Sequence, residues 1–347
     1  MQCIFFYSLG ISNILGFCDI LLRGIFIYII KGVSNVKENI TRYKARDGKM
    51  IALYRWEPDD KSNIKGLIQL IHGSCEHSGR YRAFSEFLNE NGYVVYSNDH
   101  RGHGLTAVQE SELGFIGEND GWKSLVDDVL EINKILRGDY PNLPVFMIGH
   151  SMGSFIARHY VTLYGDTIDG LVLSGTAHNN RLLLKFAIAL ADINIKLNGN
   201  RCRSKFINYL SYGAFNRKVS AHRTKFDWIC IDEKVVDDYI KDYHCGYIFT
   251  SNAFKEMFRG LYYITDYKNI KKTPVTLPIL LISGKKDVVG NEGKMVYKCY
   301  EKYKEAGIKN ISIKLYENMR HEILNEIGKE EVYEDILNWI RKHLTID

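Results

Sequence analysis

Residues Gly149-His150-Ser151-Met152-Gly153 constrain this chain more than any other stretch. They follow Val145-Phe146-Met147-Ile148, a short apolar run that reads as a buried strand. After them, Ser154 to Val161 carries apolar residues at helical spacing. A strand-to-helix turn this sharp leaves no room for side chains two residues either side of the serine, so Gly149 and Gly153 stand there. Such a nucleophile elbow projects the Ser151 hydroxyl from the top of a sheet. A bare G-x-S-x-G arises by chance in roughly one chain in ten of this size. The strand before it and the helix after it are what give it meaning.

The rest of the chain supplies that sheet. Residues 40–44 and 50–56 alternate around Asp47-Gly48, which reads as a hairpin, and 66–71 is a third apolar run. Helices and strands then alternate: helix 80–91, strand 93–97, helix 122–137, strand 145–148, helix 152–164, strand 171–174. Such alternation predicts an α/β fold, a mainly parallel sheet with helices on both faces. It stops over residues 176–272, which read as helix and loop, and resumes with a strand at 279–282, a helix at 295–306, a strand at 311–316 and a last helix at 330–343. The expected organisation is a core of residues 36–175 and 273–347 and an inserted helical cap of residues 176–272. The insertion enters at the carboxyl ends of the strands, where open α/β sheets place their sites.

Composition bounds the partners. With 46% hydrophobic and 25% charged residues, the 347-residue chain has ample material for a core. Its seven cysteines are scattered without a C-x-x-C pair, so neither a structural zinc site nor a disulfide framework is expected, which suits a cytoplasmic protein. Between His178 and Lys225, ten basic side chains face Asp192 alone, interleaved with apolar residues such as Leu182, Phe186 and Leu197. That stretch reads either as a solvated helical face or as a surface for anionic head groups and membrane. No nucleic-acid-binding motif accompanies the charge, so nucleic acid is not an expected partner. The apolar residues 1–35 lack the basic start and cleavage site of a signal peptide. They read as a membrane anchor interrupted by Asp19 and Arg23, or as a translated leader ahead of a start at Val36, since Lys31-Gly32-Val33 can be encoded by a ribosome-binding sequence.

A serine hydroxyl needs a base to take its proton, and the base needs an acid to hold its tautomer. Asp287 closes Ile282-Ser283-Gly284-Lys285-Lys286-Asp287 just past a strand, and His321 follows the last strand in Met319-Arg320-His321-Glu322. The order serine, acid, histidine is the one found with this kind of elbow. The developing oxyanion needs two backbone N–H donors. Met152 supplies one, and Ser74, in the loop His72-Gly73-Ser74-Cys75-Glu76-His77, the other, with Gly73 permitting close approach. Cys75 reads as a small loop residue rather than a rival nucleophile. His100 and His103 in Asp99-His100-Arg101-Gly102-His103-Gly104 complete no metal-ligand set, and that loop reads as support beneath the pocket. No metal or organic cofactor is expected.

Together, H-G-S-C-E-H-S-G-R-Y (residues 72–81), D-H-R-G-H-G (99–104), G-H-S-M-G (149–153) and the Asp287/His321 pair resemble the monoacylglycerol lipase and lysophospholipase branch of the α/β-hydrolases, also described as serine aminopeptidase-like. The resemblance implies the α/β-hydrolase fold, with Ser151 as nucleophile, Asp287 as acid, His321 as base, and Ser74 and Met152 as oxyanion donors. His72, Gly73, Glu76, Gly149 and Gly153 would shape the supporting loops. It implies a mobile helical cap that admits single-chain acyl esters, lysophospholipid or monoacylglycerol, with a short-chain esterase or aminopeptidase-like activity as the alternative. This chain has Ser74-Cys75 where monoglyceride lipases usually show Ala-Gly, and Leu105-Thr106 where they show Arg-Ser. The segment from Phe226 through Cys245 to Leu261 is similar to lysophospholipase-type caps.

Overall fold

In the computed structural model, residues 37–219 and 222–344 are described. The two readings of residues 1–35 lie outside them. A hairpin opens the sheet: β1 (Lys37–Lys44) pairs antiparallel with β2 (Met50–Glu57) around Asp47-Gly48. Then come β3 (Gly66–Ile71), β4 (Tyr93–Asn98), β5 (Val145–His150), β6 (Gly170–Ser174), β7 (Ile279–Gly284) and β8 (Ile311–Tyr316). They form one eight-stranded sheet in the order β1-β2-β4-β3-β5-β6-β7-β8. Pairing is antiparallel as far as β2–β4 and parallel from there to β8.

Every residue of β3 to β7 is buried, as a sheet covered on both faces requires. That is why these strands read as largely apolar runs; β2, expected to alternate, is instead buried without a break at Ile51–Tyr54, because it lies inside the sheet between β1 and β4. Along β5, Met147 joins the core beneath α2 (Gly121–Asp139) and α3 (Met152–Tyr164). Its neighbour Phe146 packs edge-on against Trp339 of α10 (Lys329–Lys342), with ring centroids 6.1 Å apart. On that second face α10 also meets α1 (Arg82–Glu90) through Phe84 and Tyr333. The predicted helix over 80–91 begins two residues late, because residues 78–81 form a tighter 3₁₀ turn that serves the site described below.

Among the described residues, no strand occurs between β6 and β7. The segment holds α4 (Arg181–Asn198), α5 (Lys205–Asn208) running into a π turn at Tyr209–Gly213, α6 (Glu233–Lys241), α7 (Ser251–Ile264) and α8 (Tyr267–Ile270). The chain then re-enters the sheet at β7, and α9 (Lys294–Glu305) connects β7 to β8. α4 lies along α7, which in turn packs on α2 and α3. α4 starts on Asn180, whose side chain accepts from the N–H groups of Leu182 and Leu183. It buries Leu184 and Ala191 but leaves Leu182 76% and Phe186 65% exposed. The apolar residues of 182–197 therefore divide between two faces, because twelve apolar residues in eighteen positions cannot share one side of a 3.6-residue helix. No helix among the described residues is long and apolar enough to cross a membrane.

Candidate active site

The elbow is built by backbone collision. Ser151 takes φ +51°, ψ −119°, a conformation that a non-glycine residue holds only when its surroundings enforce it. A Cβ on Gly149 would stand 2.6 Å from the carbonyl oxygen of Gly153. One on Gly153 would stand 2.1 Å from the carbonyl of Ile71 and 2.6 Å from that of His72. The first glycine is thus demanded by the turn itself, and the second by β3 alongside. The Ser151 N–H donates to the Ser174 carbonyl at the end of β6 (2.9 Å), which fixes the turn across a third strand.

The structure brings Ser151, His321 and Asp287 into one chain of hydrogen bonds. His321 Nε2 lies 2.8 Å from Ser151 Oγ, and His321 Nδ1 lies 2.9 Å from Asp287 Oδ2. An ionised carboxylate only accepts, so Nδ1–H donates to Asp287 and Nε2 accepts the serine O–H. Asp287 is fully buried; its other oxygen accepts the Val289 N–H (2.8 Å), and Ser283 Oγ donates to Oδ2 (3.1 Å). Burial would raise its pKa, but the charge and hydrogen bond of His321 with these donors carry it below the usual 3.8. Burial likewise opposes protonation of His321, and the Asp287 carboxylate overrides it, so that its pKa stands above 6.5. The two partners shift in opposite senses, as an ion-paired couple must.

Ser74 and Met152 lie on the same rim, at the ends of β3 and β5. Among the described residues, neither N–H donates to a protein acceptor. The loop that carries Ser74 is held tightly. Gly73 N–H donates to Glu76 Oε1 (2.5 Å), which also accepts Tyr81 O–H (2.7 Å). A Cβ on Gly73 would sit 2.7 Å from that same oxygen. His72 Nδ1 lies 2.7 Å from the Gly73 carbonyl, and its Nε2 accepts the His100 N–H (3.0 Å). Burial holds His100 down to about 3, so this histidine stays neutral and serves the scaffold. Asp99 braces the loop from below, accepting from the Ser78 and Leu105 N–H groups. Cys75 is buried, its S–H points to the Tyr247 carbonyl (3.1 Å), and burial pushes its thiol up. It is no thiolate nucleophile.

A cavity of about 310 Å³ opens beside Ser74 and Cys75, walled by Tyr212, Trp228, Tyr239 and Tyr247 and edged by Lys205 and Lys225. The Trp228 ring stands 5.4 Å from the His321 ring, and Tyr212 O–H donates to Ser74 Oγ (3.2 Å). Residues 62–328 match the family described as serine aminopeptidase, S33.

The chain belongs to that family. It is similar to the monoacylglycerol lipase of Mycolicibacterium smegmatis, 27% identical over 83% of this chain and 92% of the relative. It is equally similar to human monoglyceride lipase, 27% identical over 85% of this chain and 88% of the relative. Among solved structures it resembles a highly thermostable carboxyl esterase from Bacillus coagulans in complex with glycerol, with TM-score 0.82 and 28% identity, covering 89% of this chain and 99% of the esterase. It is a serine hydrolase of the α/β-hydrolase fold.

Two parts of this S33 site escape a reading of the sequence. The first is Arg80, whose guanidinium binds Glu322 in a fork (2.6 Å at each nitrogen) and Glu76 (2.8 Å). Glu322 follows His321, and Glu76 holds Gly73, so one arginine joins the loop that carries Ser74 to the loop that carries His321. Burial would raise the Glu322 carboxyl, and Arg80 holds it below its ordinary value. The sequence signals were the place of Glu76 and Arg80 in the 72–81 motif and an acid next to His321, none of which pairs them. The second is the aromatic wall, which comes from the π turn (Tyr212), α6 (Tyr239) and the loops on either side of α6 (Trp228, Tyr247), with no residue of α4.

Proposed function

We propose that the chain hydrolyses carboxylic esters of single-chain lipids, lysophospholipid or monoacylglycerol, through an acyl-enzyme on Ser151. The observation that carries this reading is the continuous Ser151–His321–Asp287 hydrogen-bond chain standing beside an aromatic cavity. His321 takes the hydroxyl proton as Ser151 attacks the acyl carbonyl, and passes it to the leaving alcohol. Asp287 holds the imidazole and stabilises its charge. The Ser74 and Met152 N–H groups receive the oxyanion. Water, activated by the same histidine, then releases the fatty acid.

Residues 176–272 act as the cap that selects the acyl chain, over a core of residues 36–175 and 273–347. The exposed Leu182, Leu183 and Phe186, with Lys185 and Lys196 on the same helix, suit contact with an anionic lipid surface. The names of the relatives, lipases acting on monoglycerides, agree with this substrate class.

The family's description favours a second reading, an aminopeptidase. Such an enzyme must hold a substrate ammonium, which calls for a carboxylate in the pocket. Among the described residues the cavity has two lysines on its lining and no Asp or Glu. Turnover across lysophosphatidylcholine, monoacylglycerols, short p-nitrophenyl esters and aminoacyl-nitroanilides tests the choice. The lipid esters should be cleaved fastest, and preference for the nitroanilides would overturn the lipid reading.

A further inference from the structure

One cluster of donor side chains has no part in this chemistry. His77 closes the loop that carries Ser74, and Asp242, His244 and Cys245 form the turn after α6, some 165 residues later. One ligand atom from each of His77, Asp242 and Cys245 lies within 4.8 Å of the other two. His77 Nε2 and Asp242 Oδ2 are 2.9 Å apart. His244 Nδ1 stands 3.7 Å from the other Asp242 oxygen, and its ring is 5.9 Å from that of His77.

Cys245 supplies a second and independent observation. Its side chain is 9% exposed and turned toward the His–Asp pair, and its thiol has no hydrogen-bond partner among the described residues. Arg80, the guanidinium beside it, is already committed to Glu76 and Glu322. Imidazole nitrogen, carboxylate oxygen and thiol sulfur together are the donor set of a tetrahedral zinc ion, and calcium or magnesium would not take the sulfur. The nitrogen and oxygen need move apart by only a few tenths of an ångström to reach the roughly 3.3 Å edge of such a tetrahedron.

We propose that His77, Asp242 and Cys245 bind a zinc ion, with His244 or water as fourth ligand, and that this ion fastens the oxyanion loop to the segment between β6 and β7. On binding, the Cys245 thiol loses its proton to solvent and the sulfur takes the metal in its place. The two segments already meet at this point: the Gly246 N–H and the Tyr239 O–H both donate to the Cys75 carbonyl, at 3.0 and 2.9 Å. A metal bond there ties the wall of the cavity, which includes Tyr239 and Tyr247, to the loop that bears an oxyanion donor.

Cobalt(II), added to the full chain after chelator treatment, is the probe. The expected result is saturation at about one ion per chain, with the intense visible bands of a four-coordinate ion and a near-ultraviolet thiolate charge-transfer band, both erased by zinc. Cys245→Ser should lose the charge-transfer band, and His77→Gln should lose binding. Cys202→Ser, elsewhere in the segment, should change neither. Retained labelling by a fluorophosphonate shows that each variant has folded. Where Cys245→Ser fails that check, His77→Gln and Asp242→Asn carry the comparison. No saturable binding by the unaltered chain, or a charge-transfer band unchanged in Cys245→Ser, overturns the proposal.

Discussion

The oxyanion loop and the segment between β6 and β7 face each other across the same cavity, yet they are built on opposite terms. In the loop, nearly every polar atom is committed. Glu76 takes two donors on one oxygen and Arg80 on the other, His72 is bonded at both nitrogens, and Gly73 has no room for a side chain. Across the cavity, Tyr209 and Leu210 are half exposed, the backbone passes through a π turn, and the buried cluster of Ile229, Cys230, Val236, Tyr239 and Cys245 is small. Low density of buried contacts marks regions that open at low cost. On the proposed mechanism the loop fixes where charge develops, and the stretch from Tyr209 to Cys245, rather than the core-packed α7, is free to vary what enters.

Substitutions should separate the two sides. Ser151→Ala should abolish fluorophosphonate labelling and cut ester turnover by about 10⁴-fold or more, with His321→Ala equally severe and the pair no worse than either. Asp287→Asn should cost about 10⁴-fold while leaving the fold intact, because the imidazole loses the partner that sets its tautomer. Arg80→Ala tests whether the loop's rigidity rests on one guanidinium. It strands two buried carboxylates and should lower stability by about 3 to 5 kcal/mol in denaturant unfolding. A loss under about 1 kcal/mol would show that the clamp is dispensable.

The pH profile sharpens the same point. His321 must be neutral to act, and its pKa lies above 6.5, so kcat/KM should fall as pH drops through that raised value. Glu322 is one of the charges that raise it. Glu322→Gln should therefore move the acid limb to lower pH, a shift that a merely structural role would not produce. On the other side of the cavity, Trp228→Ala should leave short p-nitrophenyl esters nearly untouched and change KM for long-chain esters roughly tenfold. The smallest effect belongs to Leu182→Asp with Phe186→Asp: sedimentation with anionic vesicles should weaken roughly tenfold while short soluble esters turn over unchanged.

What the sequence disclosed follows the same division. The elbow, the acid and the histidine each sit within a few residues of a buried strand, so local pattern locates them: apolar run, turn, functional side chain. The parallel sheet was legible for the same reason. Arg80 was not, because its partners Glu76 and Glu322 lie in different loops and only the closed sheet brings them together. The wall of Tyr212 and Trp228 was hidden by short helices whose pattern is too brief to resolve a period. The apolar residues of α4 did not disclose the lining either, since a helix with hydrophobic residues on all sides does not announce which side is covered. His77 and Asp242 were not read together, since no sequence signal spans the 165 positions between them.

Ser151 leaves β5 early in the chain, whereas Asp287 and His321 follow β7 and β8 near its end. On the proposed mechanism, the nucleophile is therefore made during synthesis long before anything that can take its proton. A nascent chain carries an inert hydroxyl until its last strand has joined the sheet and its last loop has turned back over β5. On that mechanism, reactivity toward a fluorophosphonate becomes a clock for completed folding, and a chain stalled anywhere before residue 321 should stay unlabelled.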